Sequence, residues 1–197
     1  ISSNKGSFIL GHTRLSIIDL SENAIQPMFS KNERYAIIFN GEISNYIELR
    51  NTLIKKGRRF YTQSDTEVLL VAWEEWRERA IEKLDGMFAF AIYDFKNNTV
   101  TIVRDAFGIK PVFYQRLNNS IIFSSEIKAL LELNFYSHEV NLKRAYDYLQ
   151  YGQYDFNGET FFKNINSLEP GTYLTFKFSE QKNCIIKNWW KPRVEEK

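Results

Sequence analysis

A single cysteine, Cys184, stands in a chain of 197 residues, so no disulfide can close within it, which fits a reducing compartment. Histidine is almost as scarce. His12 and His138 lie far apart and have no Cys or His partners at ligand spacing, which argues against a metal site. Charge of neither sign dominates: Lys and Arg total 26, Asp and Glu 24, for a net +2. That balance excludes nucleic-acid binding driven by a large positive field and leaves only a local patch open to it. No apolar run approaches the length of a membrane span, and the first residues do not read as a signal peptide. Also lacking are a glycine-rich phosphate loop, an internal repeat, a low-complexity tract and a domain-splitting linker. What is present is length enough for one domain with a substantial core, rich in aromatics, with 16 Phe and 11 Tyr. These features describe a soluble cytoplasmic domain.

Hydrophobic periodicity divides the chain into blocks. Phe8-Ile9-Leu10 and Leu15-Ser16-Ile17-Ile18 read as short strands, followed by an ordered loop from Asp19 to Asn32. Tyr35 to Phe39 is a continuous apolar run, as expected of a strand covered on both faces. Asn45 with Glu48 forms a capping-box pattern for a helix that Gly57 would end, with Tyr46, Leu49, Leu53 and Ile54 on one face. Ser64 with Glu67 opens a second helix, predicted from about Thr66 to Leu84, whose apolar stripe includes Val68, Leu69, Ala72, Trp73 and Trp76. The runs Met87–Tyr93, Val100–Val103, Val112–Tyr114 and Ile121–Phe123 predict an antiparallel meander, with Asn97-Asn98 and Asn118-Asn119 at its turns. Glu126–Leu133 and Leu142–Tyr151 read as helices, and Tyr173–Phe178 with Cys184–Trp190 as a final hairpin. Residues 191–197 form a charged tail. Two helices follow each block of strands, which favours an α+β protein with helices layered on antiparallel sheet.

Three groups could carry chemistry. Arg14 follows a turn-like Gly11, and a guanidinium at a strand edge can hold a carboxylate through two parallel hydrogen bonds. On the residues alone the commoner reading is a surface arginine paired with a local acid. Asn40-Gly41 reads as a turn between the buried strand and the next helix. An Asn amide beside a Gly N–H can give two donors to one point, and one such donor is worth about 3 kcal/mol against an amide's developing oxyanion. The same pair also suits a plain hairpin turn, although a helix rather than a strand follows it here. Asp65 can bind an ammonium or simply serve the start of its helix. Cys184, inside a predicted strand, reads as a buried and inert thiol rather than a nucleophile.

Several longer motifs occur in a fixed order: Gly11-His12-Thr13-Arg14-Leu15-Ser16, Phe39-Asn40-Gly41-Glu42, Ser64-Asp65-Thr66-Glu67, Arg104-Asp105-Ala106-Phe107-Gly108-Ile109-Lys110-Pro111 and Leu168-Glu169-Pro170-Gly171. Together they resemble the glutaminase domain of the asparagine synthetase family, a class II glutamine amidotransferase of the N-terminal-nucleophile hydrolase type, over residues 1–190. The resemblance implies a four-layer αββα sandwich of antiparallel sheets. It implies that Arg14 holds the α-carboxylate of glutamine and Asp65 its α-amino group. Leu15, Ser16, Ile17 and Ile18 would line the pocket, Asn40 and Gly41 would form the oxyanion hole, and Glu42 would belong to the same site. In the family, a synthetase domain uses the released ammonia to amidate aspartate with ATP and Mg. No cofactor is expected in the glutaminase domain itself. The implied partners are glutamine and a synthetase domain, in the same polypeptide or a partner chain, with a homodimer as an option and no nucleic acid or membrane.

The departures carry weight. The family cuts glutamine with a cysteine at the first position of the mature chain, whereas this sequence begins Ile1-Ser2-Ser3. Ser44 stands where a tyrosine is usual. The N-terminal strand and the synthetase domain are absent from the sequence as given, so exposed strand edges and no glutaminase activity are expected of these residues alone. Other readings are a non-catalytic amino-acid-binding or interaction module, and the glutaminase domain of a different amide-forming synthetase.

Overall fold

The computed structural model describes residues 2–3, 6–13, 18–19, 21–117, 119–133, 139–154, 156–178 and 184–193. Along the strand Gly86–Asp94, Phe88, Phe90 and Ile92 turn to one core while Ala89, Ala91 and Tyr93 turn to another. A strand buried on both faces needs apolar residues in both phases, and this run supplies them.

In chain order the elements are β1 (Ser2–Ser3), β2 (Gly6–Ser7), β3 (Met28–Phe29), β4 (Tyr35–Ile43), α1 (Tyr46–Lys55), α2 (Asp65–Trp76), β5 (Gly86–Asp94), β6 (Thr99–Arg104), β7 (Phe113–Leu117), β8 (Ser120–Ser124), α3 (Ile127–Glu132), α4 (Leu142–Tyr151), β9 (Asn166–Ser167), β10 (Thr172–Lys177) and β11 (Cys184–Asn188). Short 3-10 helices cover Glu22–Ala24 and Arg77–Lys83. Among the described residues a six-stranded antiparallel sheet runs β11-β10-β6-β5-β4-β3, a three-stranded sheet runs β8-β7-β9, and β1 and β2 pair with each other. Helices α1 and α2 bury Leu49, Leu53, Val68, Leu69 and Trp73 against one face of the larger sheet. Its other face meets Val112, Tyr114 and Phe123 of the smaller-sheet region, and α3 lies against β7 and β8. The order is therefore helices, sheet, sheet, helix.

Several sequence expectations are corrected here. Asn40, Gly41 and Glu42 do not form a turn. They continue β4 and pair with Ala89, Phe88 and Met87 of β5. Among the described residues Phe8-Ile9-Leu10 joins no ladder, although Phe8 stacks on Tyr93 at 3.9 Å and both Phe8 and Leu10 pack on the inter-sheet core. Of the second expected strand only Ile18 is described, in a bend. The predicted meander is two hairpins, β5–β6 and β7–β8, that belong to different sheets. The Asn45 capping box is not made, because its amide is used at long range: Nδ2 donates to the Lys83 carbonyl at 2.9 Å and Oδ1 accepts from Asp85 N–H at 3.1 Å. Ile54 faces out, leaving Leu49 and Leu53 as the buried residues of α1. The second helix ends at Trp76, where Arg77 takes a left-handed backbone (φ +56) and the chain tightens into the 3-10 turn. Among the described residues no helix is long and apolar enough to cross a membrane.

Candidate functional site

Among the described residues the outer edge of β4 is covered only in part. β3 pairs with Ile37 and Ala36 and goes no further. Beyond that point side chains meet the edge. Gln26 Oε1 accepts from Phe39 N–H at 2.6 Å and Asp65 Oδ2 from Ile43 N–H at 3.1 Å. N–H groups two residues apart on a strand share an edge. Gly41 lies between Phe39 and Ile43 in the same phase, so its N–H belongs to this edge, between the two side-chain acceptors.

A hollow of about 230 Å³ lies along the edge, lined by Asn40, Gly41 and Glu42 together with Ile18, Gln26 and Asp65. That volume is below the range of sites for drug-sized ligands, about 300–1,000 Å³, and suits one compact molecule. Asn40 also borders a second cavity, of about 550 Å³, between the two sheets. The structure thus brings together Asn40, Gly41, Glu42, Asp65 and Ile18. Arg14, Leu15, Ser16 and Ile17 lie outside the described residues.

Asp65 is held firmly at the first position of α2. Ser64 caps the helix, its Oγ accepting from Glu67 N–H at 3.1 Å. The return half of the predicted capping box is replaced. The buried Glu67 carboxylate instead accepts from Tyr61 N–H, Thr62 N–H and the Thr62 hydroxyl, at 2.7–3.1 Å. Arg50 Nη1 donates to the Thr62 carbonyl at 2.9 Å, and Asp19 Oδ2 accepts from Gln63 N–H at 2.8 Å. Glu67→Ala would leave three donors without an acceptor and is expected to cost roughly 3 kcal/mol. Glu67→Gln, which keeps a carbonyl oxygen, should cost less. Urea midpoints that match the unmodified chain for both variants would remove Glu67 from this scaffold.

Burial raises the pKa of Asp65 and the nearby charge of Glu42 adds to the rise, while the N–H groups of Ile43 and Thr66 oppose it. A carboxylate in this state gains from a cation entering the hollow.

Sequence reasoning missed Gln26 and Lys110. Gln26 sits in the stretch read as a loop, and it also donates through Nε2 to the Thr66 hydroxyl at 3.3 Å. Lys110 reaches the hollow from the loop after β6. Asp105, wholly buried, accepts from the N–H groups of Phe107 and Ile109 at 3.0 Å and of Lys110 at 2.9 Å, which fixes that loop. The Arg104-Asp105-Ala106-Phe107-Gly108-Ile109-Lys110-Pro111 motif was the available signal, although its spacing does not reveal which way Lys110 faces.

Cys184 is half-buried on β11, and burial pushes its thiol pKa up. Three strands, β10, β6 and β5, separate it from β4, a lateral distance of roughly 19 Å. It is no part of the hollow. Among the described residues no cluster of His, Cys, Asp and Glu could hold a metal ion.

Two antiparallel sheets packed between helix layers, with polar donors and an acid gathered at one strand edge, define an amidotransferase-type fold. The B. subtilis glutamine phosphoribosylpyrophosphate amidotransferase shares that fold, with a TM-score of 0.63 and 19% identity over 92% of this chain and 34% of that one. The profile of the glutamine amidotransferase domain family matches residues 2–190, and the chain belongs to that family. Asparagine synthetase [glutamine-hydrolyzing] 1 of Bacillus subtilis (strain 168) is 42% identical over 167 residues, covering 85% of this chain and 26% of that protein. A putative asparagine synthetase [glutamine-hydrolyzing] of Mycobacterium bovis is 33% identical, covering 98% of this chain and 30% of that protein. The chain therefore spans between a quarter and a third of the length of these relatives.

Proposed function

We propose that the β4-edge hollow receives glutamine and that this domain serves glutamine hydrolysis. The observation that carries the reading is the meeting of Asp65 with Asn40 and Gly41 around one small cavity, at opposite ends of a short stretch of strand edge. Asp65 takes the α-ammonium, a partner that also stabilises its buried charge. Asn40 Nδ2 and Gly41 N–H take the side-chain carbonyl oxygen and hold the charge that grows on it when the amide is attacked. Glu42 borders the same hollow, Ile18 supplies an apolar wall, and Arg14, with Leu15, Ser16 and Ile17 beside it, takes the α-carboxylate.

The relatives are named glutamine-hydrolysing asparagine synthetases. By analogy, the complete protein passes ammonia to a synthetase domain that amidates aspartate with ATP in the cytoplasm. The attacking group is a cysteine thiolate that Cys184 cannot supply from its place on β11.

Titration calorimetry of the 197-residue chain with L-glutamine tests the pocket, and saturable binding is expected. Absence of any binding heat from glutamine would end the reading. A coupled ammonia assay on the same polypeptide is expected to stay at background. Release above it would mean that these residues carry a nucleophile of their own.

A further inference from the structure

A second polar cleft lies at the other end of β4. Asp94 of β5 pairs with Tyr35, six residues before Gly41, which places this cleft roughly 20 Å along the strand from the hollow. Its volume is about 510 Å³, within the range of small-molecule sites. Strand register builds the floor. Asp94, Thr99 and Lys177 stand opposite one another across β5, β6 and β10, and Ile92, Thr101 and Thr175 form the next row inward. Arg77 overhangs this floor from the end of α2. The sheet face that is apolar under α2 thus turns to hydroxyls and charges where the helix stops.

The charges are unevenly matched. Arg34 grips Asp94 with two hydrogen bonds, Nε to Oδ1 at 3.2 Å and Nη2 to Oδ2 at 2.9 Å. The same carboxylate also accepts from Lys96 N–H, Asn97 N–H and Asn97 Nδ2. Little of it remains for Arg77, whose Nη1 stays 3.9 Å from Oδ2, buried and without a hydrogen-bond partner among the described residues. The Arg77 and Arg34 guanidinium groups lie 4.6 and 5.1 Å from the centre of the same Tyr35 ring, so two like charges share one neighbour. Burial, and then the charge of Arg34, lower the pKa of Arg77, while the charges of Asp94 and Glu78 oppose the fall. Among the described residues that line the cleft, the cations are Arg34, Arg77 and Lys177 and the acids are Asp94 and Glu78. A buried guanidinium donor left unpaired beside a polar cavity is costly, and an oxyanion supplies the missing acceptor in the geometry that arginine matches best.

We infer that this cleft binds a small oxyanion, a phosphate or carboxylate group on a compact molecule, with Arg77 and Lys177 as its charge partners and the threonine hydroxyls as neutral donors. The site is separate from the glutamine hollow and does not depend on it. Titration calorimetry of the 197-residue chain with sodium phosphate, at ionic strength held constant with chloride, is expected to show saturable binding. AMP and citrate titrated in the same way separate a phosphate-bearing from a carboxylate ligand. Arg77→Gln should weaken phosphate binding at least tenfold and Lys177→Gln several-fold, while Asp65→Asn should leave it unchanged. Because Arg77 also ends α2, melting curves accompany each variant. If Arg77→Gln does not fold, Lys177→Gln decides. The inference is overturned if none of the three anions binds saturably. It is equally overturned if Arg77→Gln lowers the melting temperature yet binds phosphate as before, which would leave Arg77 as a helix end only, or if Lys177→Gln binds as the unmodified chain does.

Discussion

Replacing Gly41 with alanine is expected to cost roughly 3–6 kcal/mol or to prevent folding altogether. Gly41 lies in mid-strand with φ +146, and an added Cβ would sit 2.1 Å from the Met87 carbonyl oxygen and 2.7 Å from the Phe88 Cα. Both neighbours are backbone atoms of β5 that pair with β4, so neither can move without breaking the β4–β5 ladder. Domains of this kind are stable by only about 5–15 kcal/mol, which makes this loss a large share of the total. Gly57 offers a control. It also has a left-handed backbone, φ +82, but nothing lies within 4 Å of its missing Cβ. Gly57→Ala should therefore cost only the conformational part, about 1–2 kcal/mol. Equal losses for the two variants in urea titrations would mean that the close approach of β5 does not fix the residue at position 41.

Asp65→Asn is expected to weaken glutamine binding tenfold to a hundredfold and yet to leave the empty protein at least as stable at neutral pH. A hydrogen bond to a charged group contributes about 1.5–3 kcal/mol, and each 1.4 kcal/mol is a factor of ten in affinity. Asparagine keeps an oxygen that can still accept from Ile43 N–H, so the strand edge remains satisfied. The pH dependence follows from the raised pKa of Asp65. Between the ordinary carboxylate value of about 3.9 and its folded pKa, the folded chain binds more protons than the unfolded chain. Stability from this group is then greatest at low pH and falls as pH rises through that window. The variant lacks this fall, so its stability relative to the unmodified chain should rise with pH until Asp65 is fully ionised. A variant that binds glutamine as tightly as before would take Asp65 out of the proposed site. A difference that shrinks as pH rises would contradict the effect of burial.

Local chemistry determined a good deal of this protein from its sequence. The two-phase apolar run of β5, the Ser64 cap of α2, the β10–β11 hairpin and α4 were all readable, because periodicity and capping depend on residues a few positions apart. The motif order by itself points to the amidotransferase family. Tertiary structure decided the rest, and in each case the determining partner lies far along the chain. Asn40-Gly41 looks like a turn until the β5 backbone, nearly fifty residues on, is seen to occupy the space a side chain would need. Asn45 looks like a helix cap until its amide finds the backbone of Lys83 and Asp85. Gln26 and Lys110 carry no local mark of belonging to the hollow, since their place depends on a strand edge that Gln26 reaches by side chain and on a loop pinned by Asp105. Two hairpins of similar composition entered different sheets, and alternation within a strand cannot say which second layer will cover it. The unpaired donor of Arg77 became visible only when Asp94 proved to be committed to Arg34. Short-range patterns fix which segments can form; the competition among distant groups for hydrogen bonds and space fixes where they meet.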